Sequence, residues 1–421
     1  MAKAVVIGAG LSGLASSIAL RRAGWGVTVL EKSRFKNEIG AAITIPPNAT
    51  RVLDHWGFDS PSHGAVPNQA SVFSNASDLK VFLGEEYPDI GEHMGHMSWS
   101  FHRVDLHRGL RELAEKLGVV IELGKEVSGV DCENGIVRLK NGETRKGELV
   151  VIADGAHSVC IGDFTGRGRE VTRTGRSIYR WLVKMEDVNR EEDLRECFSG
   201  LPGFRSWRDA SRDILWVSYT CRDGTILNNA LVHATREGEG EEDLWHSEVT
   251  RDRVLDLLEG FHETPRKIVS LPNEDGIKVH HLFKRPALES FVRGRTVVVG
   301  DAAHVMMPTH AAGGAIGIES AAALEVLFKD VDGTDETLLQ ERLRLFDQLR
   351  IPRCNLTMLA SNAGPQWLAV PGVEEDVRRF YSGPLPPAGA LPWGRQFREV
   401  LFNHDAYRAA EQALAGVAVP A

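Results

Sequence analysis

The chain has 421 residues, 43% of them hydrophobic and 25% charged, with a formal net charge of −9, which excludes disorder over most of its length and allows roughly two or three domains. A mildly acidic chain without a long Lys/Arg run is ill-suited to nucleic acid, whose affinity rests on phosphate neutralisation. Glycine is the outlier: 42 residues against only 18 prolines exceeds the usual share of about 7% and points to sharp turns or close backbone approaches rather than to a collagen or low-complexity tract.

Residues 3–7 (KAVVI) form a short apolar run suited to a strand buried on both faces, and Gly8-Ala9-Gly10-Leu11-Ser12-Gly13 opens a helical segment through Arg22 that closes at Gly24. Residues 26–31 make the next strand, ending on Glu31. This start reads as strand–turn–helix rather than as a secretory signal. In such a βαβ unit Gly8 permits the tight turn, Gly10 lets the backbone approach a pyrophosphate, and Gly13 lets the helix pack close to the sheet. The helix N-terminus offers free N–H groups to phosphates, and Glu31 stands where a carboxylate accepts hydrogen bonds from ribose hydroxyls. These features predict a dinucleotide site without separating NAD from FAD.

The leucines at 106, 110, 113 and 117 mark a helix with an Asp105 cap and a Gly118 stop. Residues 119–146 alternate around Asn134-Gly135 and Asn141-Gly142, which predicts an antiparallel meander, followed by a buried strand ending at Asp154-Gly155. Three β-rich segments between 177 and 235 predict a second sheet, then a helix around 247–259; the acidic stretch Glu237, Glu239, Glu241, Glu242, Asp243 reads as a solvated loop. The strand 296–300 leads into Gly300-Asp301 and a small-residue helix opened by Gly313-Gly314. Residues 336–362 read as one or two helices broken near Pro352, residues 363–393 as a surface wrap, and 394–415 as a final helix.

An Asp at a strand end can accept a hydrogen bond from a ribitol or ribose hydroxyl, and Gly313 and Gly314 can present N–H groups to a ring carbonyl or phosphate. Five scattered cysteines without CxxC spacing, at 132, 160, 197, 221 and 354, fit a reducing, cytoplasmic setting rather than a disulfide framework or zinc site. His304 and His310 lack ligand spacing and read as core histidines, so no metal site is expected. Trp207, Trp216 and Trp245 read as core before pocket. No stretch of about 20 uncharged apolar residues predicts a membrane span.

With GAGLSG at 8–13, Glu31, IGAAI…PPNA at 39–49, Arg103, ADGAHS at 153–158 and GDAAH at 300–304, the chain resembles the FAD-dependent aromatic hydroxylases, the single-component flavoprotein monooxygenases typified by p-hydroxybenzoate and salicylate hydroxylases, and most of all their fungal secondary-metabolism members. The resemblance spans residues 3 to about 360. It implies that Gly8, Gly10, Gly13, Glu31, Ala42, Arg103, Asp154, Asp301, Gly313 and Gly314 contact FAD, with Asp154-Gly155 also meeting NAD(P)H. The sequence departs from the family pattern at Ala311-Ala312-Gly313-Gly314 (usually Gly-Gln-Gly), at Glu319-Ser320 (usually Glu-Asp), at Ala42 (often Gly) and at Cys160-Ile161, where Arg is common.

The resemblance further implies a cycle in which NAD(P)H, a transient co-substrate without its own Rossmann domain, reduces FAD, O2 gives a C4a-hydroperoxide, and an aromatic or other electron-rich small molecule is hydroxylated. Epoxidation, a Baeyer–Villiger-like oxidation and a flavin dehydrogenase that never activates oxygen are the alternatives. Arg180 and Tyr219 match positions where fungal members place a catalytic pair over the substrate; a solvent-facing Arg180 and a structural Tyr219 are the alternatives. The expected fold is α/β: a Rossmann-like FAD-binding domain from discontinuous segments (1–70, 100–175, 285–362), an inserted β-sheet substrate domain (71–99, 176–284), and a C-terminal wrap and helix (363–421).

Overall fold

A computed structural model describes residues 1–35, 41–239, 247–273, 275–387, 389–390 and 393–416. The short apolar runs of the sequence line up at its centre. A six-stranded sheet runs, edge to edge, Val292–Arg293, Thr296–Val298, Leu149–Ile152, Lys3–Ile7, Gly26–Glu31 and Val120–Leu123. All neighbours are parallel except the first pair. Its middle strands are nearly continuous in Val, Ile and Leu because both faces are covered: the helix Leu11–Arg22 packs on the sheet with the small-residue helix Gly313–Leu327 against it, and Val130, Val137 and Leu139 of an antiparallel meander share the same apolar core. This is the Rossmann-like core of a mixed α/β protein.

An eight-stranded sheet follows a different rule. Its order is Glu248–Val249, Ile277–Lys284, Thr172–Lys184, Ile226–Ala234, Ile214–Cys221, Phe204–Asp209, Ala70–Asn75 and Val81–Glu86. Strict alternation along the central strands sends Tyr179, Trp181, Trp216 and Leu231 into one apolar core, while their neighbours face the other way. A three-stranded sheet (Ala42–Ile45, Trp99–His102, Val66–Pro67) touches the eight-stranded sheet and contributes Ile45 and Phe101 to the core of the six-stranded one.

Several expectations need correction. Val120–Leu123 is not part of the meander; it closes the edge of the parallel sheet, and only 127–131, 136–139 and 144–146 pair antiparallel. The helix after 247 begins at Arg251, where the Thr250 side chain accepts from the Arg253 N–H, and residues 248–249 are strand. The helix Arg103–Lys116 starts two residues before Asp105, whose carboxylate is drawn away from capping by Arg222 at 2.8 Å and Arg108 at 3.1 Å. Glu336–Ala363 is one helix straight through Pro352. Proline removes the bond to the Gln348 carbonyl, and residue 348 is exposed, so water can serve that oxygen.

The last segment is two helices, Arg395–Leu401 and Ala406–Leu414. Residues 363–393 do more than wrap the surface, since Trp367, Tyr381 and Trp393 are buried with Phe204 and Leu356 in a third apolar cluster. In the acidic stretch Glu239 is buried, accepting from the Tyr179 hydroxyl and from the Arg236 N–H at 3.0 Å; Glu241, Glu242, Asp243, Trp245 and the Ile39-Gly40 pair lie outside the described residues. No described helix is long and apolar enough to cross a membrane.

Candidate active site

The N-terminal turn is built by exclusion. Gly8 has φ +97°, and a Cβ there would come within 2.6 Å of the Ala153 carbonyl oxygen. A Cβ on Gly13 would overlap the Gly8 carbonyl oxygen, whereas one on Gly10 would point into open space. The first turn of Leu11–Arg22 has no side-chain cap, so its free N–H groups face that same opening. Glu31 braces the turn from the next strand: one carboxylate oxygen accepts from the Ala9 N–H at 2.7 Å and the other from the Ser33 N–H at 2.7 Å. Each oxygen keeps a second acceptor site. His107, on the helix beginning at Arg103, meets the Ala9 carbonyl at 2.7 Å.

The second turn packs onto the first through one side chain. Ser12 Oγ occupies the space that a Cβ on Gly300 or on Gly317 would need. This contact brings Asp301 beside the glycine turn. Asp301 is exposed, yet the surrounding protein desolvates its carboxyl enough to raise its pKa, against the pull of Arg103 and Arg285. A Cβ on Gly313 would lie 3.7 Å from Asp301 Oδ1, and one on Gly314 only 3.1 Å from Ile43. The helix Gly313–Leu327 also begins uncapped.

Arg103 is exposed, its side chain makes no hydrogen bond or ion pair among the described residues, and its own N–H donates to the Ala41 carbonyl at 2.8 Å. Asp154 follows the strand Leu149–Ile152. Its Oδ2 accepts from the Val159 N–H at 2.9 Å, while Oδ1 is buried without a partner. Ala42 is buried, and its N–H donates to Asn228 Oδ1 of the eight-stranded sheet at 3.0 Å, so this amide already has a protein acceptor.

Arg180 and Tyr219 lie on the face of the eight-stranded sheet opposite its apolar core. Arg180 aligns with Ala230 and Ala230 with Val217; Tyr219 aligns with Asn228. That face is half-buried, with Arg180, Val217 and Tyr219 each partly exposed. It meets the small sheet, where Asn228 holds Ala42 and Thr44 adjoins the Tyr219 phenol. Arg180 Nε is buried without a partner, and burial lowers the guanidinium pKa, with Tyr219 and Arg103 close enough to act on it. The Tyr219 phenol is pushed up to about 12 by burial, against the pull of Arg180, and its ring packs edge-on against Phe204 at 5.3 Å.

Arg285 carries no signal in the sequence. It is 4% exposed, donates Nη1 to the Ala302 carbonyl at 2.7 Å, and leaves Nε and Nη2 buried without hydrogen-bond partners among the described residues, with Asp154, Glu170 and Asp301 near enough to act on its charge. Only folding brings it from the end of an amphipathic strand to the Gly300-Asp301 turn. Trp207 and Trp216 are core, and His304 and His310 are buried, each lowered to about 3 by burial and therefore neutral. The residues present fit a flavin dinucleotide: glycines that tolerate no side chain, a backbone open at Gly10 and Gly155, and orphaned polar atoms on Asp154 and Arg285.

Comparison with known proteins gives the same answer. A family model described as an FAD binding domain matches residues 1–339. An FAD-dependent monooxygenase of Aspergillus candidus is 31% identical over 373 residues, 86% of this chain and 84% of that protein. Hispidin-3-hydroxylase of Neonothopanus nambi is 30% identical over 374 residues, 85% of this chain and 87% of its own. A salicylate hydroxylase in a substrate complex shares the fold at a TM-score of 0.76 and 21% identity, covering 100% of this chain and 98% of that one. Fold, cleft and kinship converge: the chain belongs to the FAD-binding-domain family of FAD-dependent monooxygenases and hydroxylases.

Proposed function

We propose that the protein uses NAD(P)H and O2 to hydroxylate an aromatic or other electron-rich small molecule, with Arg180 and Tyr219 as the residues that meet the substrate. The reading is supported by one observation: the sheet face opposite the second core carries Arg180, Asn228 and Tyr219 against the small sheet, and Arg103 is near enough to act on both Arg180 and Asp301. Gly8, Gly10, Gly13, Glu31, Arg103, Asp154, Asp301, Gly313 and Gly314 would hold FAD, with Ala42 as part of the wall. Bound FAD, once reduced, supplies the oxygen activation.

The protein's part is electrostatic. A phenol or enol reacts faster when ionised, and a guanidinium held in a water-poor cleft favours the ionised form. Arg180 keeps its charge at neutral pH, and Arg103 adds a second positive charge nearby. Tyr219, held neutral, orients the substrate oxygen by hydrogen bonding rather than by removing its proton. We assign 1–70, 100–175 and 285–362 to the FAD domain, and 71–99 and 176–284 to the substrate domain.

The purified protein is expected to be yellow, and to consume NAD(P)H and O2 faster when its substrate is added. Flavin reduced anaerobically by the substrate instead of by NAD(P)H would move the protein to the dehydrogenases. A colourless protein that binds only NAD would contradict the reading altogether.

A further inference from the structure

Away from the flavin cleft, two arginines share one acid. Glu319 lies on the small-residue helix, six residues or about 9 Å beyond Gly313, and is fully buried. Its carboxylate accepts from Asn48 at 2.6 Å, Arg350 at 3.0 Å and Arg353 at 2.9 Å. Arg353 spends its remaining donors on the carbonyls of Val400 and Leu401. Arg350 turns Nε to the Ser320 hydroxyl at 3.1 Å, a neutral group, and its Nη1 has no partner among the described residues. The cluster therefore holds two positive charges against one negative charge. Buried charge left unbalanced is costly.

Arg350 and Arg353 also line a pocket of about 390 Å³ between the Pro352 turn, the segment at Tyr381–Pro384 and the two C-terminal helices. Its polar lining includes Arg350, Arg353, His404 and Asn403, with Glu399 at the rim; its apolar side includes Leu349 and Val400. The His404 ring makes no hydrogen bond among the described residues. Burial lowers it to about 4, against Glu319 and with the two arginines, so it is a neutral donor. The other nearby carboxylates are engaged: Asp405 with Arg51 at 3.2 Å, and Glu399 at the rim with Arg395 at 3.1 Å.

We propose that this pocket binds a small organic monocarboxylate with an apolar tail, at a site separate from the flavin cleft. The carboxylate supplies the missing negative charge to Arg350 and His404 by charge-assisted hydrogen bonds, and the tail lies against Leu349 and Val400.

Hexanoate is a suitable probe, with hexanamide as its uncharged counterpart. Titrated into the flavin-loaded protein, hexanoate is expected to bind saturably by calorimetry and to raise the melting temperature, leaving the flavin spectrum unchanged; hexanamide is expected to do neither. Leu349→Trp, which fills the pocket, and Asn403→Trp, at its exposed mouth, are each expected to abolish saturable binding while keeping the flavin. Absence of hexanoate binding, equal binding of hexanamide, an equal effect of sodium chloride, or undiminished binding in both folded variants would overturn the proposal.

Discussion

Arg180 sits one residue from Tyr179 and Trp181, both packed into core, and strand alternation alone turns it to the opposite face of the sheet. Replacing it with alanine removes the buried positive charge without touching the residues around Gly8, Gly10 and Asp301. Arg180→Ala is therefore expected to keep its flavin and lose roughly 10²–10³-fold in substrate-dependent turnover, the scale of one preorganised electrostatic contact. Full hydroxylation by a yellow Arg180→Ala protein would remove it from the site. Tyr219, with its phenol pushed up to about 12, stays protonated across the working range. Tyr219→Phe should lose about tenfold in kcat/KM, one hydrogen bond's worth, while the pH–rate profile below pH 9 keeps its shape. A basic limb that disappears in Tyr219→Phe would show that the phenol ionises in the cycle.

At the scale of elements, the two glycine turns are locked together by Ser12 lying against Gly300 and Gly317. A methyl at Gly317 collides with Ser12 Oγ. Gly317→Ala is expected to lower stability by about 1–3 kcal/mol, as overpacking does, with part of the loss recovered in the Ser12→Ala/Gly317→Ala double variant; strict additivity in denaturation experiments would refute the contact. The sequence made the βαβ unit legible because apolar run, spaced glycines and terminal acid are local signals. It hid the strand Phe204–Asp209, where Arg205, Arg208 and Asp209 interrupt the apolar alternation, and the strand Ile277–Lys284, rich in Lys and His. The continuous helix through Pro352 was hidden for another reason: the Arg350 and Arg353 anchors that hold both sides of the proline reach Glu319, more than thirty residues away. Arg285 and the Asn228–Ala42 bond are likewise products of tertiary contact, to which no spacing rule applies.

At the scale of the molecule, Glu319 joins the small-residue helix, the long helix and the C-terminal pair. Burial alone would raise its carboxyl, but Arg353, His404 and Arg350 together hold it well below the usual range. Glu319→Gln leaves two guanidiniums without their anion and is expected to cost about 3–5 kcal/mol in folding free energy. Acid should weaken the fold through the histidines. His304 and His310 are held neutral at about 3 when folded, whereas unfolded they take up a proton near 6.5. Below that value the unfolded chain binds more protons, so each histidine removes about 1.4 kcal/mol of stability per pH unit as pH falls toward 3. Melting curves between pH 7 and 5 should show this slope, reduced in His310→Gln; a slope unchanged in that variant would contradict the burial.

The fate of the two oxygen atoms separates a monooxygenase from a dehydrogenase. With a substrate that accelerates NAD(P)H consumption, turnover under isotopically heavy O2 is expected to yield product bearing one heavy oxygen atom, with the other leaving as water. Product oxygen drawn from solvent, or product oxidised without gaining oxygen, would contradict a monooxygenase.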